Sequence, residues 1–438
     1  MTMRFTRKSS LTVLFVIAGV LLSSCLAILL AVPIAYAQET QTVLKPNQLF
    51  TYSLAPNQEK LFVLQMKRGD FADIQSLARE GLNLSLEIYD STRKDLLEKS
   101  EVGDDFIWFV AQRDGEFILV CKLGESAEIS GSEKISIQYN NKLKLTPGTK
   151  LKAIRKVNGY DIKIMATPES SEDGGPILLF EKNGQLQKAI KRDTNYGFIF
   201  ADDINFRSAK EIQLIKTTPD KTGNGVSDIM IDYFSGGAHC CFSTYFFDLG
   251  DTVNLGDILG GGDSQLTVIR KNPKGGLIFR VSDYAFGYWL TSFAQSPAPT
   301  VILEFRNGKL RPNFELMKKA APTFVVLKKE AQVQIQQLRL EPYSGEKSEN
   351  CRRPMFIDMN GTTQYSFEPC LYKDDASAPV FWGRMLDLIY TGNEELAWQF
   401  LDLVWPRQKQ GKELFIRDFK DHLLQSWYWP MILEDRKK

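Results

Sequence analysis

Histidine is nearly absent from this 438-residue chain, which holds only His239 and His422. General acid–base work would therefore fall to carboxylates or lysines. Several motifs are missing as well: there is no Gly-x-Ser-x-Gly elbow, no His-Glu-x-x-His, no phosphate loop and no dinucleotide fingerprint. Charge of one sign is not in excess, with 54 Lys and Arg against 53 Asp and Glu, mixed throughout, for a net charge of +1. A nucleic-acid footprint needs clustered basic charge, so no nucleic-acid partner is expected. Cysteine is scarce at six residues. Beyond the N-terminus no stretch is apolar enough to cross a membrane.

The N-terminus itself is different. Arg4, Arg7 and Lys8 precede an apolar run from Leu11 to Ile34, which ends at Ala35-Tyr36-Ala37 before polar Gln38. That order is a signal peptide over residues 1–37, and it predicts an exported protein, periplasmic or extracellular, with no membrane span after cleavage. Two other readings stand beside it. Leu22-Ser23-Ser24-Cys25 resembles a lipobox, although apolar Leu26 follows the cysteine, and the uncleaved run is long enough to act as an anchor. Five cysteines remain in the mature chain, in a compartment that favours pairing. Cys351 and Cys370 bracket a loop of about twenty residues, where a disulfide contributes about 3 kcal/mol. Cys121 lies in the apolar run Phe117–Val120 and reads as a buried free thiol.

The chain is mainly β and multidomain by its patterning. Residues 38–142 contain short alternating runs such as Gln48–Leu54, Lys60–Met66, Leu82–Tyr89 and Lys134–Tyr139, spaced as in a β-sandwich. Leu44-Lys45-Pro46-Asn47 ahead of Phe50–Leu54, then Gly69–Asp73, Ile88-Tyr89-Asp90 and Asp114–Leu119, resemble the bacterial pre-peptidase C-terminal (PPC) domain. The resemblance implies an accessory sandwich on an exported protein, without catalytic residues. Residues 150–325 form a central β-rich domain, propeller-like or a sandwich, in which Pro176–Leu186 and Thr300–Leu310 echo each other as apolar runs entering Asn-Gly turns. Residues 326–376 read as a helix followed by the cysteine loop. Residues 377–438 are helical, with Trp382, Met385, Leu386 and Ile389 on one helix and Ala397, Phe400, Leu401 and Val404 on the next. Asn393 is placed to cap the second helix, and the short link predicts an antiparallel hairpin packed on the β domain or on a partner.

Three stretches could carry chemistry. Asp220, Thr222, Asn224, the Val226 carbonyl and Asp228 fall at alternate positions around Gly225, the spacing of a calcium loop, though without an acidic twelfth residue. The stretch resembles the Asp-rich loops of FG-GAP-type propeller blades, which implies a possible calcium site. The alternative is a metal-free Asx turn leading into a strand. Ser235–Cys241, with Gly236, Gly237, His239, Cys240 and Cys241, resembles a stretch of uncharacterised exported bacterial proteins, a likeness that carries no activity. Neighbours on a strand point to opposite faces, so His239, Cys240 and Cys241 suit a structural role, as a vicinal disulfide or with one of them bonded to Cys121. Asp283, Tyr284, Phe286, Tyr288 and Trp289 are either core or an aromatic ligand platform. As a platform they open a second reading, a carboxylate-based glycan hydrolase with Asp232 or Asp263 as the second acid. The main expectation is a non-catalytic binding or scaffold protein of the bacterial envelope, with an envelope protein or a glycan as partner.

Overall fold

The computed structural model describes residues 42–437 except 79–81, 83, 101–104, 124–130, 169–174, 193–196, 204–206, 237–241, 290–292, 341–355, 358–362, 365–378 and 406–411. The N-terminal unit is a β-sandwich. One sheet has the order β1 (Thr42–Val43), β3 (Glu59–Met66), β8 (Gly115–Leu123), β5 (Leu84–Asp90), β6 (Leu96–Lys99). The facing sheet runs β2 (Gln48–Leu54), β9 (Glu133–Asn140), β4 (Phe71–Leu77), β7 (Phe106–Val110). Alternation explains the packing: in β9, Ile135, Ile137 and Tyr139 point inward against Phe62, Leu86 and Ile88. Cys121 is a free, fully buried thiol in this core, so it is not the partner of Cys240 or Cys241. Its surroundings push its pKa up to about 12, chiefly through burial, which makes it inert.

Three four-stranded antiparallel meanders follow. The first joins β10 (Lys150–Val157), β11 (Tyr160–Ala166), β12 (Pro176–Lys182) and β13 (Gln185–Lys191). The second joins β14 (Phe198–Phe200), β15 (Asp228–Phe234), β16 (Phe242–Leu249) and β17 (Val253–Gly262). The third joins β18 (Thr267–Lys271), β19 (Leu277–Ser282), β20 (Thr300–Arg306) and β21 (Lys309–Pro312). The two echoing segments are the third and fourth strands of the first and third meanders. Their turns place Asn183, Gly184, Asn307 and Gly308 at positive φ, the geometry that Asn-Gly accepts at low cost.

The sheets are stacked, and sequence shows why. Pro176–Phe180 is buried without alternation because both faces of its sheet are covered. Ile177 and Leu179 meet Phe71, Trp108 and Val110 of the sandwich, while Leu178 and Phe180 meet Ile231, Tyr245 and Phe247 of the second meander. On the far side, one core runs from Met230 and Phe246 through Phe279, Val301 and Leu303 to Trp382, Leu386, Phe400 and Phe419.

The helices are α1 (Ala209–Lys216), α2 (Phe314–Met317), α3 (Phe324–Leu340), α4 (Pro379–Tyr390), α5 (Glu394–Val404), α6 (Lys412–Leu424) and α7 (Trp429–Arg436). The α4–α5 hairpin turns at Gly392 (φ +88°) and packs on the third meander. Asn393 occupies the α5 N-cap position without a capping hydrogen bond, and its side-chain NH₂ donates to the Lys319 carbonyl. Among the described residues no helix is long and apolar enough to cross a membrane.

Candidate functional site

The Asp220–Asp228 loop is closed largely by its own main chain. The Asp220 carboxylate accepts from the amides of Gly223 (2.6 Å), Asn224 (3.1 Å) and Gly225 (2.8 Å). Asn224 Oδ1 accepts from the Val226 amide, and Thr222 Oγ1 sits 3.5 Å from Asp220 Oδ1. The loop is wedged against the turn before β19. A Cβ at Gly223 would meet the Gly275 carbonyl at 2.9 Å and one at Gly276 would meet the Lys221 carbonyl at 2.7 Å, so both positions require glycine. The Lys221 ammonium is buried and donates to the Asp228 main-chain oxygen at 2.7 Å, a built-in cation inside the loop. Burial lowers its pKa, against the pull of Asp228, Asp202 and Asp220.

Asp228 opens β15 and is 1% exposed. Its Oδ2 accepts from the Lys221 and Thr222 amides at 2.6 and 2.8 Å. Asp248 is directly opposite on β16, and the Oδ1 atom of each carboxyl is buried without a hydrogen-bond donor. Like charges opposite each other across a ladder repel, and burial removes the water that would screen them. Burial first, and then the Asp248 carboxyl, hold the Asp228 pKa well above the usual carboxylate range. Asn224 Nδ2 donates to the other Asp248 oxygen at 2.9 Å. Two carboxyls in this position need a shared proton or a cation between them. The fit to calcium is thus partial. Asp228 and Asp248 present oxygens with no donor, whereas the carboxylate of Asp220 and the side-chain oxygen of Asn224 are already taken by loop amides. Among the described residues no cluster of three or more His, Cys, Asp or Glu side chains is placed to hold a metal ion. Asp248 escaped sequence reasoning because only the β15–β16 register brings it to Asp228.

The aromatic set around Asp283 is core and not an open platform. Phe286 and Trp289 are buried and meet Phe419, His422, Phe415 and Trp382 from the C-terminal helices. Tyr284 stacks on Phe293, and only Tyr288 is substantially exposed, at 46%. Asp283 is buried and accepts from Tyr390 Oη (2.6 Å), Ser426 Oγ and the Ala285 amide (2.9 Å). Burial raises its pKa, and these three donors act against the rise. Asp232, a candidate second acid, is locked into an ion pair with buried Arg207 (2.6 Å) and accepts from Thr244 at 2.5 Å. Neither carboxylate lines an open cleft with the other, because each is consumed by partners that hold sheets and helices together. Of the Ser235–Cys241 stretch, Gly236 has φ +94°, as a tight turn requires, and Phe234 stacks on Phe242 across the ladder. Gly237, His239, Cys240 and Cys241 lie outside the described residues, as do Cys351 and Cys370.

A feature with no local signal in sequence is an open groove of 770 Å³ where the sandwich meets the meanders. Its walls come from β6, β7, β13, β17 and β21, the edge strands of all five large sheets. The floor is fixed by the Phe71–Trp108 and Ile177–Ala189 core, by Gln112 donating to the Gln187 carbonyl, and by the Lys188–Glu98 ion pair.

The fold defines a class: a multidomain β protein in which a small sandwich is fused to a stack of antiparallel sheets with a helical cap. No protein-family model matches the chain, and no curated protein matches it. Similar solved structures include the pre-peptidase C-terminal domain of a collagenase from Bacillus anthracis, at 10% identity and TM-score 0.20, covering 23% of this chain and 94% of that one. Another is PliG of Aeromonas hydrophila, a periplasmic inhibitor of g-type lysozyme, at 9% identity and TM-score 0.20, covering 23% of this chain and 96% of that one.

Proposed function

We propose that the protein is an exported, non-catalytic binding scaffold that engages another protein of the bacterial envelope. The observation that carries this reading is the groove at which the edge strands of five stacked sheets converge. Edge strands are ordinarily short, charged or covered, because an open edge invites pairing. Here Leu96 (49% exposed), Leu97 (39%), Leu255 (36%) and Ile258 (39%) stand open beside such edges. Stacked sheets buried on both faces make a rigid platform, which keeps the ordering cost of binding low. A photoreactive residue placed at Leu97 or Leu255 in intact cells should yield a discrete adduct, and one at exposed Val325 should not. Equal adducts from all three positions would sink the scaffold reading. Export is tested by fractionation and by sequencing the mature N-terminus, expected to begin at Gln38.

Calcium enters as a stabiliser and not as a reagent. Asp228 and Asp248 would supply carboxylate oxygens, and the ion would relieve their repulsion at the junction of the second and third meanders. The melting temperature should rise by a few degrees in calcium relative to chelator, about 2.7 kcal/mol at a hundredfold excess over Kd. An unchanged curve retires the ion.

A further inference from the structure

We infer that the start of α3 is a membrane-docking tip, which sets its apolar side chains shallowly into a bilayer surface of anionic phospholipid. It shares no residue with the lining of the groove. Residues 320–326 carry no charge, and all of them are exposed except half-buried Pro322. Lys318 and Lys319 precede this stretch, and Lys328 and Lys329 follow it. Phe324, Val325 and Val326 are 53%, 77% and 46% exposed. Three consecutive helical residues sweep more than half of the helix circumference, so the first turn of α3 stands clear of the body as a knob. The next turn is fixed. Leu327 and Ala331 are buried in the core shared with the helical cap, and Glu330 pairs with Arg384 of α4 at 3.0 Å. A tip held this firmly loses little freedom on docking.

Single exposed apolar side chains are ordinary, whereas a contiguous uncharged knob rimmed by lysines suits a membrane surface. Charge points to the kind of lipid. Lys318 pairs with Glu315 and Lys319 with Asp387, so those two are already compensated. Lys328 and Lys329 are exposed and have no carboxylate partner among the described residues. With the Arg384–Glu330 pair counted, five cations meet three carboxylates around the tip, and the surplus of two is Lys328 and Lys329. They follow Val325 by three and four positions, which places them on its side of the helix, one turn behind. From there their ammonium groups reach phosphate headgroups while Phe324, Val325 and Val326 enter the acyl boundary. A protein partner fits less well. Three side chains offer on the order of a few hundred Å², against roughly 800 Å² per partner in a stable protein interface. A photoreactive residue at Val325 would then label lipid and leave no protein adduct.

The test is co-sedimentation with lipid vesicles, using the chain from Gln38 onward so that the apolar run before it cannot bind in place of the tip. One set of vesicles holds about one-third phosphatidylglycerol in phosphatidylcholine, and the other is phosphatidylcholine alone. The protein should bind the anionic vesicles, and its affinity should fall at least about tenfold on neutral vesicles or in roughly 0.5 M salt. Phe324→Ser combined with Val325→Ser should weaken binding about tenfold or more, and so should Lys328→Glu combined with Lys329→Glu. Should either pair misfold by circular dichroism, single Val325→Ser and Lys329→Ala variants should each cost about threefold. Trp427→Ser, which alters another exposed apolar side chain at 68%, should bind like the parent. No binding to anionic vesicles, equal binding to both kinds, or full affinity in the folded tip variants overturns the inference. So does loss of binding in Trp427→Ser alone. A dimer in ultracentrifugation that Val325→Ser dissolves also overturns it, because the tip would then be a contact between two copies of the chain.

Discussion

Asp283 and Asp228 are both almost fully buried aspartates in the same stack of sheets, yet their surroundings are opposite. Asp283 collects three donors from three parts of the chain: Ala285 beside it, Tyr390 at the end of α4 and Ser426 after α6. Ser426 in turn accepts from the Tyr428 and Trp429 amides, so one carboxylate ties the helical cap to the third meander. Asp228 satisfies one oxygen and leaves the other without a donor, opposite a second carboxylate. A buried acid with all its partners is a joint, and a buried acid facing another acid waits for a proton or a cation.

Removing the joint should give the largest effect. Asp283→Ala leaves a buried tyrosine hydroxyl, a serine hydroxyl and an amide without their acceptor, which costs about 3–5 kcal/mol. Thermal or denaturant unfolding should show the helical cap released first, and Asp283→Asn should cost less because one oxygen remains. If Asp283→Ala melts like the parent protein, the network is not what holds the cap.

Asp228→Asn probes the other side of the comparison and should move stability the opposite way. The asparagine oxygen can keep the Lys221 and Thr222 amides, while its NH₂ supplies a donor toward Asp248 where none existed. In chelator the variant should be more stable than the parent by about 1 kcal/mol, and its response to calcium should vanish. A variant less stable than the parent in chelator would show that the pair carries no strain.

Much of the fold was legible in sequence, and the parts that were not share a physical cause. Period-two alternation marks β9, and Asn183-Gly184 and Asn307-Gly308 mark the hairpins, because those signals lie within a few residues of each other. The helices from Trp382 to Leu424 follow from their apolar spacing for the same reason. Helix α1 was missed although Ser208 and Glu211 form a complete capping box, a signal that sequence does carry. Helix α7 starts at Trp429-Pro430 and shows no apolar stripe. The aromatic cluster was ambiguous because its partners, Phe419, His422 and Trp382, lie about a hundred residues further on or more. Asp248 and the groove depend on register and on the meeting of edges from five separate sheets, which no local pattern encodes.

A third buried acid, Glu87 in β5, sharpens the comparison at the smallest scale. It is 3% exposed, yet Lys122 (2.9 Å), Lys99 (3.0 Å) and the Tyr89 hydroxyl (2.8 Å) surround it. Burial works to raise its pKa, but those partners together outweigh burial and bring it down to about 2, from an unfolded value of 4.5. The folded form therefore binds its proton less readily than the unfolded form. Its contribution to stability is full above about pH 4.5 and is lost as pH falls toward 2. Because the lysine heads are partly in solvent, we expect on the order of 1–2 kcal/mol and not the full value of the shift. Glu87→Gln should lower the sandwich's stability by that amount at neutral pH and match the parent near pH 2. A constant gap between the two proteins across the acid limb would mean that Glu87 acts through packing and not through its charge.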